Sequence, residues 1–337
     1  IVCVIVACFF GAISGSGPAT TAAVGSMCIP LLTSVGYDLT FATALVAVSG
    51  SLGIIIPPSI PYIMYCNASG ASISELFLAG FLPGVLIALC LMVYSYIYCK
   101  IHGEDKDKLN AKCMELRAKG LGTVLKEGFW ALMSPVIILG GIYGGIFTPT
   151  EAAVVSVVYG MLVGFCLKEL SLKKLGKTMV STIETSAMIT LILGVSNLFG
   201  WILAYAKIPQ TLAALVIPIV RTKFIYLIVL CLLMLIVGAL METLTSIVIL
   251  APILAPIGIE LGIDPLIVGM VFCLSLIIGV VTPPFGVNLF TVASTTGLSF
   301  RRVVSGAAPF ILSLIVVVFI IAIFPQILMF LPNLLMR

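Results

Sequence analysis

Charge is scarce in this chain. Only 9% of its 337 residues are Asp, Glu, Lys or Arg, against roughly a quarter in a soluble domain. Histidine is nearly absent: the single one, His102, lies in a polar stretch with no second His nearby, which excludes a His-based metal or acid–base centre. The ten cysteines offer no metal-ligand spacing. All but Cys113 lie in or beside apolar runs, as small buried hydrophobes do, and no transition-metal site is expected. Paired aspartates are missing from the apolar segments, so no catalytic constellation is available at depth and an enzyme is not expected. The net charge of +4 comes from a few loops and implies no nucleic-acid partner. The chain opens Ile1-Val2-Cys3, without a Met or a basic n-region. That is neither a signal peptide nor a natural start. The expectation is a fragment that lacks its first helices.

What the chain has is apolar length. It is 61% hydrophobic, with a mean hydropathy of +1.30, and each membrane pass needs about 20 such residues. The expected fold is all-α and polytopic, with a lipid bilayer as its surroundings. Spans are expected at 76–99, 128–147, 150–167, 179–205 and 303–331. The polar stretch 101–127 reads as a cytoplasmic connector, and 208–220 as an interfacial segment. Four regions follow: a first repeat at 1–100, the connector at 101–127, central spanning helices at 128–223 and a second repeat at 224–337.

The word repeat rests on two copies of one pattern. Ser49, Gly53 and Pro57-Pro58 match Ser275, Gly279 and Pro283-Pro284 at one constant offset, and Gly80 and Pro83 match Gly306 and Pro309. Each Pro-Pro pair removes backbone donors and breaks an apolar helix: 40–56 before the first, 265–281 before the second. Each broken helix follows two short apolar runs joined by turn formers or polar residues, 1–13 with 19–34 and 224–240 with 246–259. Those read as re-entrant hairpins, whose tips must line protein or water. Placing the basic connector inside, and counting spans, turns the second repeat over relative to the first. Paired, interrupted segments at matching positions in two halves point to a secondary transporter's binding site. The bland alternative is a pair of kinked helices.

A broken helix leaves carbonyls without partners at the negative end of its dipole. Na⁺, a hard cation, favours oxygen ligands. One Na⁺ site per repeat is therefore expected. Ser14, Ser16, Gly53 and Ile56 would supply the first, and Met241, Thr243, Gly279, Thr282 and Gly286 the second. Helices restarting near Pro18 and Pro58 present free N–H groups that attract carboxylates. Ser16, Thr20, Ser59, Glu242 and Asn288 are the candidate substrate-binding residues. Each has a plainer alternative. Glu242 could be a carboxylate bonded to its own hairpin tip, Asn288 a helix-packing amide, and the hydroxyls interhelical glue.

Three stretches in order resemble the large membrane subunit of tripartite ATP-independent periplasmic (TRAP) transporters. They are Gly11–Thr20, Gly53–Ser59 and Gly279–Gly286, and the similarity runs over nearly the whole chain. The resemblance implies an elevator-type, Na⁺-driven importer of organic acids in the bacterial inner membrane. It needs no cofactor beyond Na⁺ as coupling ion. A periplasmic substrate-binding protein would deliver the substrate, and a small membrane subunit of about four helices would complete the scaffold. Many relatives carry Asp where Thr20 and Glu242 stand. The Gly-Ser-Gly-Pro-Ala-Thr tip is most similar to sialic-acid systems, with C4-dicarboxylates the other substrate class. The alternative is a stand-alone Na⁺/dicarboxylate symporter without a binding protein.

Overall fold

The computed structural model describes residues 1–102, 108–110, 114, 121–207, 211, 214, 220 and 222–335. Most of the expected connector and of the segment 208–220 lies outside these residues. The regular structure described is entirely helical, and the chain is a polytopic membrane protein. Among the described residues five helices are long and apolar enough to cross a bilayer, and a bent pair, Leu39–Ile55 with Ile60–Ser69 at 42°, would make a sixth span. The chain divides into two compact units, Ile1–Lys119 with Pro209–Arg337, and Gly120–Ile208.

The larger unit begins with α1 (Val2–Ser14) and α2 (Gly17–Ser34). The first broken helix follows as α3 (Leu39–Ser49), α4 (Leu52–Ile55) and α5 (Ile60–Ser69), then α6 (Ile73–His102). The central helices α7 (Leu121–Tyr143), α8 (Pro149–Cys166) and α9 (Leu172–Tyr205) belong to the smaller unit. The pattern then returns with α10 (Lys223–Leu240), α11 (Thr243–Glu260), α12 (Pro265–Val280), α13 (Val287–Thr296), α14 (Phe300–Ile323) and α15 (Gln326–Leu335).

The core of the larger unit is made of α3 and α12. Every residue from Phe41 to Ser49 is buried, as is every residue from Val268 to Val280. A helix apolar all round has no face to give to water and is buried. Both helices start the same way. Asp38 Oδ2 accepts the N–H of Phe41 at 2.9 Å, and Asp264 Oδ1 accepts that of Leu266 at 2.9 Å. These caps satisfy donors that the first helical turn orphans. Around this core the repeats interlock: α2 packs on α13 and α11 on α5, so each hairpin touches the other half's second half-helix.

Two expected helices are divided. The helix 40–56 is interrupted before its prolines, where Gly50-Ser51 tightens the chain. Gly53 N–H bonds the Gly50 carbonyl at 3.1 Å and Ile54 N–H that of Ser51 at 3.0 Å. The last span, 303–331, stops at Ile323 because Pro325 has no N–H to continue the ladder and disfavours helical Phe324. In the smaller unit, α7 packs on α8, and Tyr159 donates its hydroxyl to the Trp130 carbonyl at 2.7 Å. α8 opens with a capping box between Thr148 and Glu151, followed by Pro149 at its first position.

Candidate cation and substrate site

The first break follows from hydrogen-bond arithmetic. In a helix the N–H of residue i serves the carbonyl of i−4. Pro57 therefore orphans the carbonyl of Gly53, and Pro58 that of Ile54. Ser59, fully buried, donates its hydroxyl to the Ile54 carbonyl and so closes one vacancy. Ile56 turns to extended geometry while its N–H still reaches the Leu52 carbonyl at 2.9 Å. Among the described residues no donor reaches the carbonyl of Gly53. The Pro57-Pro58 and Pro283-Pro284 bonds are both cis.

The first hairpin tip docks on this break, because glycines let backbones touch. A Cβ placed on Gly11 would stand 2.7 Å from Gly53 Cα. Gly15 turns the chain at φ 61°, with its N–H on the Gly11 carbonyl at 3.0 Å. A Cβ there would lie 3.0 Å from the Pro58 carbonyl oxygen. A Cβ on Gly53 would run into Thr20 Oγ1 and lie 3.1 Å from the Ser16 carbonyl oxygen. The Ser16 carbonyl and the Thr20 hydroxyl thus both lie against Gly53, whose own carbonyl is open. Ser14 Oγ donates to that same Ser16 carbonyl at 3.4 Å.

Asn288 arrives from the other half of the chain. It sits in the first turn of α13, and its Oδ1 is 3.2 Å from where a Cβ on Gly17 would be. Its side chain is fully buried, and neither amide atom has a partner; the Thr20 hydroxyl has none either. An unmet buried polar group costs about 1–3 kcal/mol. Three such atoms beside one tip are a strong sign of a place for something else.

The second break repeats the architecture with different bonds. Gly238 meets Gly279 as Gly11 meets Gly53: a Cβ on Gly279 would lie 2.8 Å from Gly238 Cα. Phe285 N–H bonds the Ala239 carbonyl at 3.1 Å and ties the break to the end of α10. Here the Gly279 carbonyl, orphaned by Pro283, is taken by the Thr282 N–H at 2.8 Å. The Val280 carbonyl, orphaned by Pro284, receives no donor among the described residues. Val280 is absent from the expected set, although its place four residues before Pro284 marks it. Thr282 donates its hydroxyl to the Ile278 carbonyl at 2.8 Å and keeps its lone pairs free. Gly286, at φ 52°, opens α13 in left-handed geometry, which suits a glycine.

The second tip is Met241-Glu242, with Thr243 buried just inside α11. Glu242 is exposed and caps its own helix. Its Oε2 accepts the Thr245 N–H at 3.0 Å and the Thr245 hydroxyl at 3.3 Å, while its carbonyl accepts Ser246 Oγ at 2.8 Å. The expected residues therefore form two groups. Ser14, Ser16, Thr20, Gly53 and Asn288 gather around the first tip, while Ile56 and Ser59 belong to the first break, Ile56 against Gly84 and Ser59 on the Ile54 carbonyl. Met241, Glu242, Thr243, Gly279, Thr282 and Gly286 belong to the second hairpin and break.

Comparison with known proteins adds an independent line. Residues 1–327 match the family described as the tripartite ATP-independent periplasmic transporter, DctM component. The isethionate TRAP transporter permease protein DctMQ of Oleidesulfovibrio alaskensis is 41% identical over 326 residues, covering 96% of this chain and 50% of that protein. The C4-dicarboxylate TRAP transporter large permease protein DctM of Pseudomonas aeruginosa is 38% identical, over 98% of this chain and 76% of its own length. The sialic acid TRAP transporter large permease protein SiaM of Vibrio cholerae is 36% identical, over 96% and 75%. The chain thus spans half of the isethionate permease and about three quarters of the other two.

Proposed function

The chain belongs to the DctM-component family of tripartite ATP-independent periplasmic transporters, and from that premise we propose that it carries an organic acid across the bacterial inner membrane, driven by Na⁺. The observation that carries this reading is the first tip. The carbonyl left open by Pro57 belongs to Gly53, and the Ser16 carbonyl and the unpartnered hydroxyl of Thr20 pack against that same residue. Oxygen donors without a formal charge suit a hard monovalent cation. Asn288, with a free amide donor and acceptor beside Gly17, reads the substrate next to that cation. Thr282 and the Val280 carbonyl mark a second cation position.

Two relatives are named for a C4-dicarboxylate and for sialic acid, and both substrates are carboxylic acids. We place this chain's substrate in that class. The inward Na⁺ gradient and the membrane voltage supply the work, about 2.3 kcal/mol per charge per 100 mV. A periplasmic binding protein delivers the acid, and a small membrane subunit frames the transporter. The two hairpins and two broken helices form the mobile, elevator-like part.

Uptake into proteoliposomes tests this. The assembled transporter is expected to accumulate a C4-dicarboxylate or sialic acid only with an inward Na⁺ gradient and added binding protein. Transport without Na⁺ would overturn the coupling. Na⁺-driven transport without the binding protein would replace this reading with a stand-alone symporter.

A further inference from the structure

The first break holds a large buried polar side chain that the expected site does not use. Tyr62, in the first turn of α5, is fully buried, and its hydroxyl has no partner. At the constant offset of the repeat, Tyr62 is the counterpart of Asn288, another fully buried side chain left unmet beside a break. The two do different work. Asn288 turns to Gly17 on the hairpin, whereas the Tyr62 ring lies on Gly80 of α6, where a Cβ would stand 2.6 Å from Tyr62 Cε2. That same point is 3.2 Å from the Tyr62 hydroxyl oxygen and 3.3 Å from the Ile55 carbonyl oxygen. The matched glycine of the second half, Gly306, faces Thr40 and Ala44 instead, so this arrangement belongs to the first break alone.

The Ile55 carbonyl is the next one along the broken ladder. The carbonyl of Leu52 is taken by Ile56 N–H and that of Ile54 by Ser59 Oγ. Those of Gly53 and Ile55 receive no donor among the described residues. A tyrosine hydroxyl donates one proton and accepts others, and a buried water needs two or more such partners. We propose that Tyr62 is a positioning residue of the first cation site. Its hydroxyl, through one buried water, holds the Ile55 carbonyl turned away and leaves the Gly53 carbonyl as the face offered to Na⁺. The phenol acts through the backbone and does not itself touch the ion. This rests on the Na⁺ reading of the first tip.

Tyr62→Phe keeps the ring on Gly80 and removes only the hydroxyl. In reconstituted uptake by the assembled transporter, the Na⁺ concentration for half-maximal rate is expected to rise about three- to tenfold, since one buried hydrogen bond is worth on the order of a factor of ten. The maximal rate and the detergent-solubilised melting temperature stay near wild type. Gly80→Ala pushes the same ring aside and is expected to reproduce the Na⁺ shift, so it carries the test if Tyr62→Phe does not assemble. Tyr65→Phe removes a buried phenol about one turn further along α5 and leaves the Na⁺ curve in place. An unchanged half-saturation in both Tyr62→Phe and Gly80→Ala, or an equal shift in Tyr65→Phe, overturns the assignment of Tyr62. Wild-type uptake that ignores Na⁺ would instead remove the cation reading on which it rests.

Discussion

At the scale of single residues, glycine does the decisive packing and leaves polar atoms unmet beside it. Gly53 has no room for a methyl group: its Cβ would strike Thr20 Oγ1 and approach Ser16 O to 3.1 Å. Gly53→Ala is therefore expected to force the tip from the break. The half-maximal Na⁺ concentration for uptake should rise at least about tenfold, with overpacking costing about 1–3 kcal/mol in a thermal melt. Asn288→Ala removes the only amide at the tip and should abolish saturable substrate uptake while the protein still elutes as an assembled complex. Glu242 behaves as a cap. Glu242→Ala should lower stability by about 1 kcal/mol, as lost N-caps do. Glu242→Gln keeps an acceptor for Thr245 and should retain uptake within about twofold. A Gln variant that folds normally and loses transport would return Glu242 to the substrate site.

At the scale of elements, the sequence was most legible where covalent chemistry dictates. A proline cannot donate, so both breaks and their positions were readable from Pro57-Pro58 and Pro283-Pro284. The paired Ser, Gly and Pro positions announced matching segments. Less legible were features that depend on partners far along the chain. Gly11 and Gly238 gave no periodic signal that they would meet Gly53 and Gly279, because backbone-to-backbone contact leaves no pattern of its own. The matched caps Asp38 and Asp264 were readable but lie outside the Pro-Pro motif. The open carbonyl of the second half is that of Val280, since Thr282 N–H serves Gly279 where the first half has no such donor. The break in the last span at Pro325 was hidden by the long hydrophobic runs that flank Pro325-Gln326. Gly279→Ala tests how rigid these contacts are. Its Cβ would lie 2.6 Å from the Leu235 carbonyl and 2.8 Å from Gly238 Cα, both backbone atoms that cannot yield. The expected outcome is loss of assembled protein, unlike Gly53→Ala, where a side chain can move.

At the scale of the whole molecule, each hairpin leans on the other half: α2 on α13, α11 on α5. That exchange is what brings Asn288 to a tip almost the whole chain away in sequence. Two repeats folded side by side would have left that tip without an amide. The proposed cation site holds Na⁺ on the Gly53 carbonyl, the Ser16 carbonyl and the Thr20 hydroxyl, with the substrate beside them at Asn288. The most direct measurement is a high-resolution density map of the assembled transporter with its acid substrate, recorded once in Na⁺ and once in K⁺. An ion peak among those three oxygens is expected in Na⁺ alone, with the acid within hydrogen-bond reach of Asn288. A void there in Na⁺, or the same peak in both salts, would contradict it.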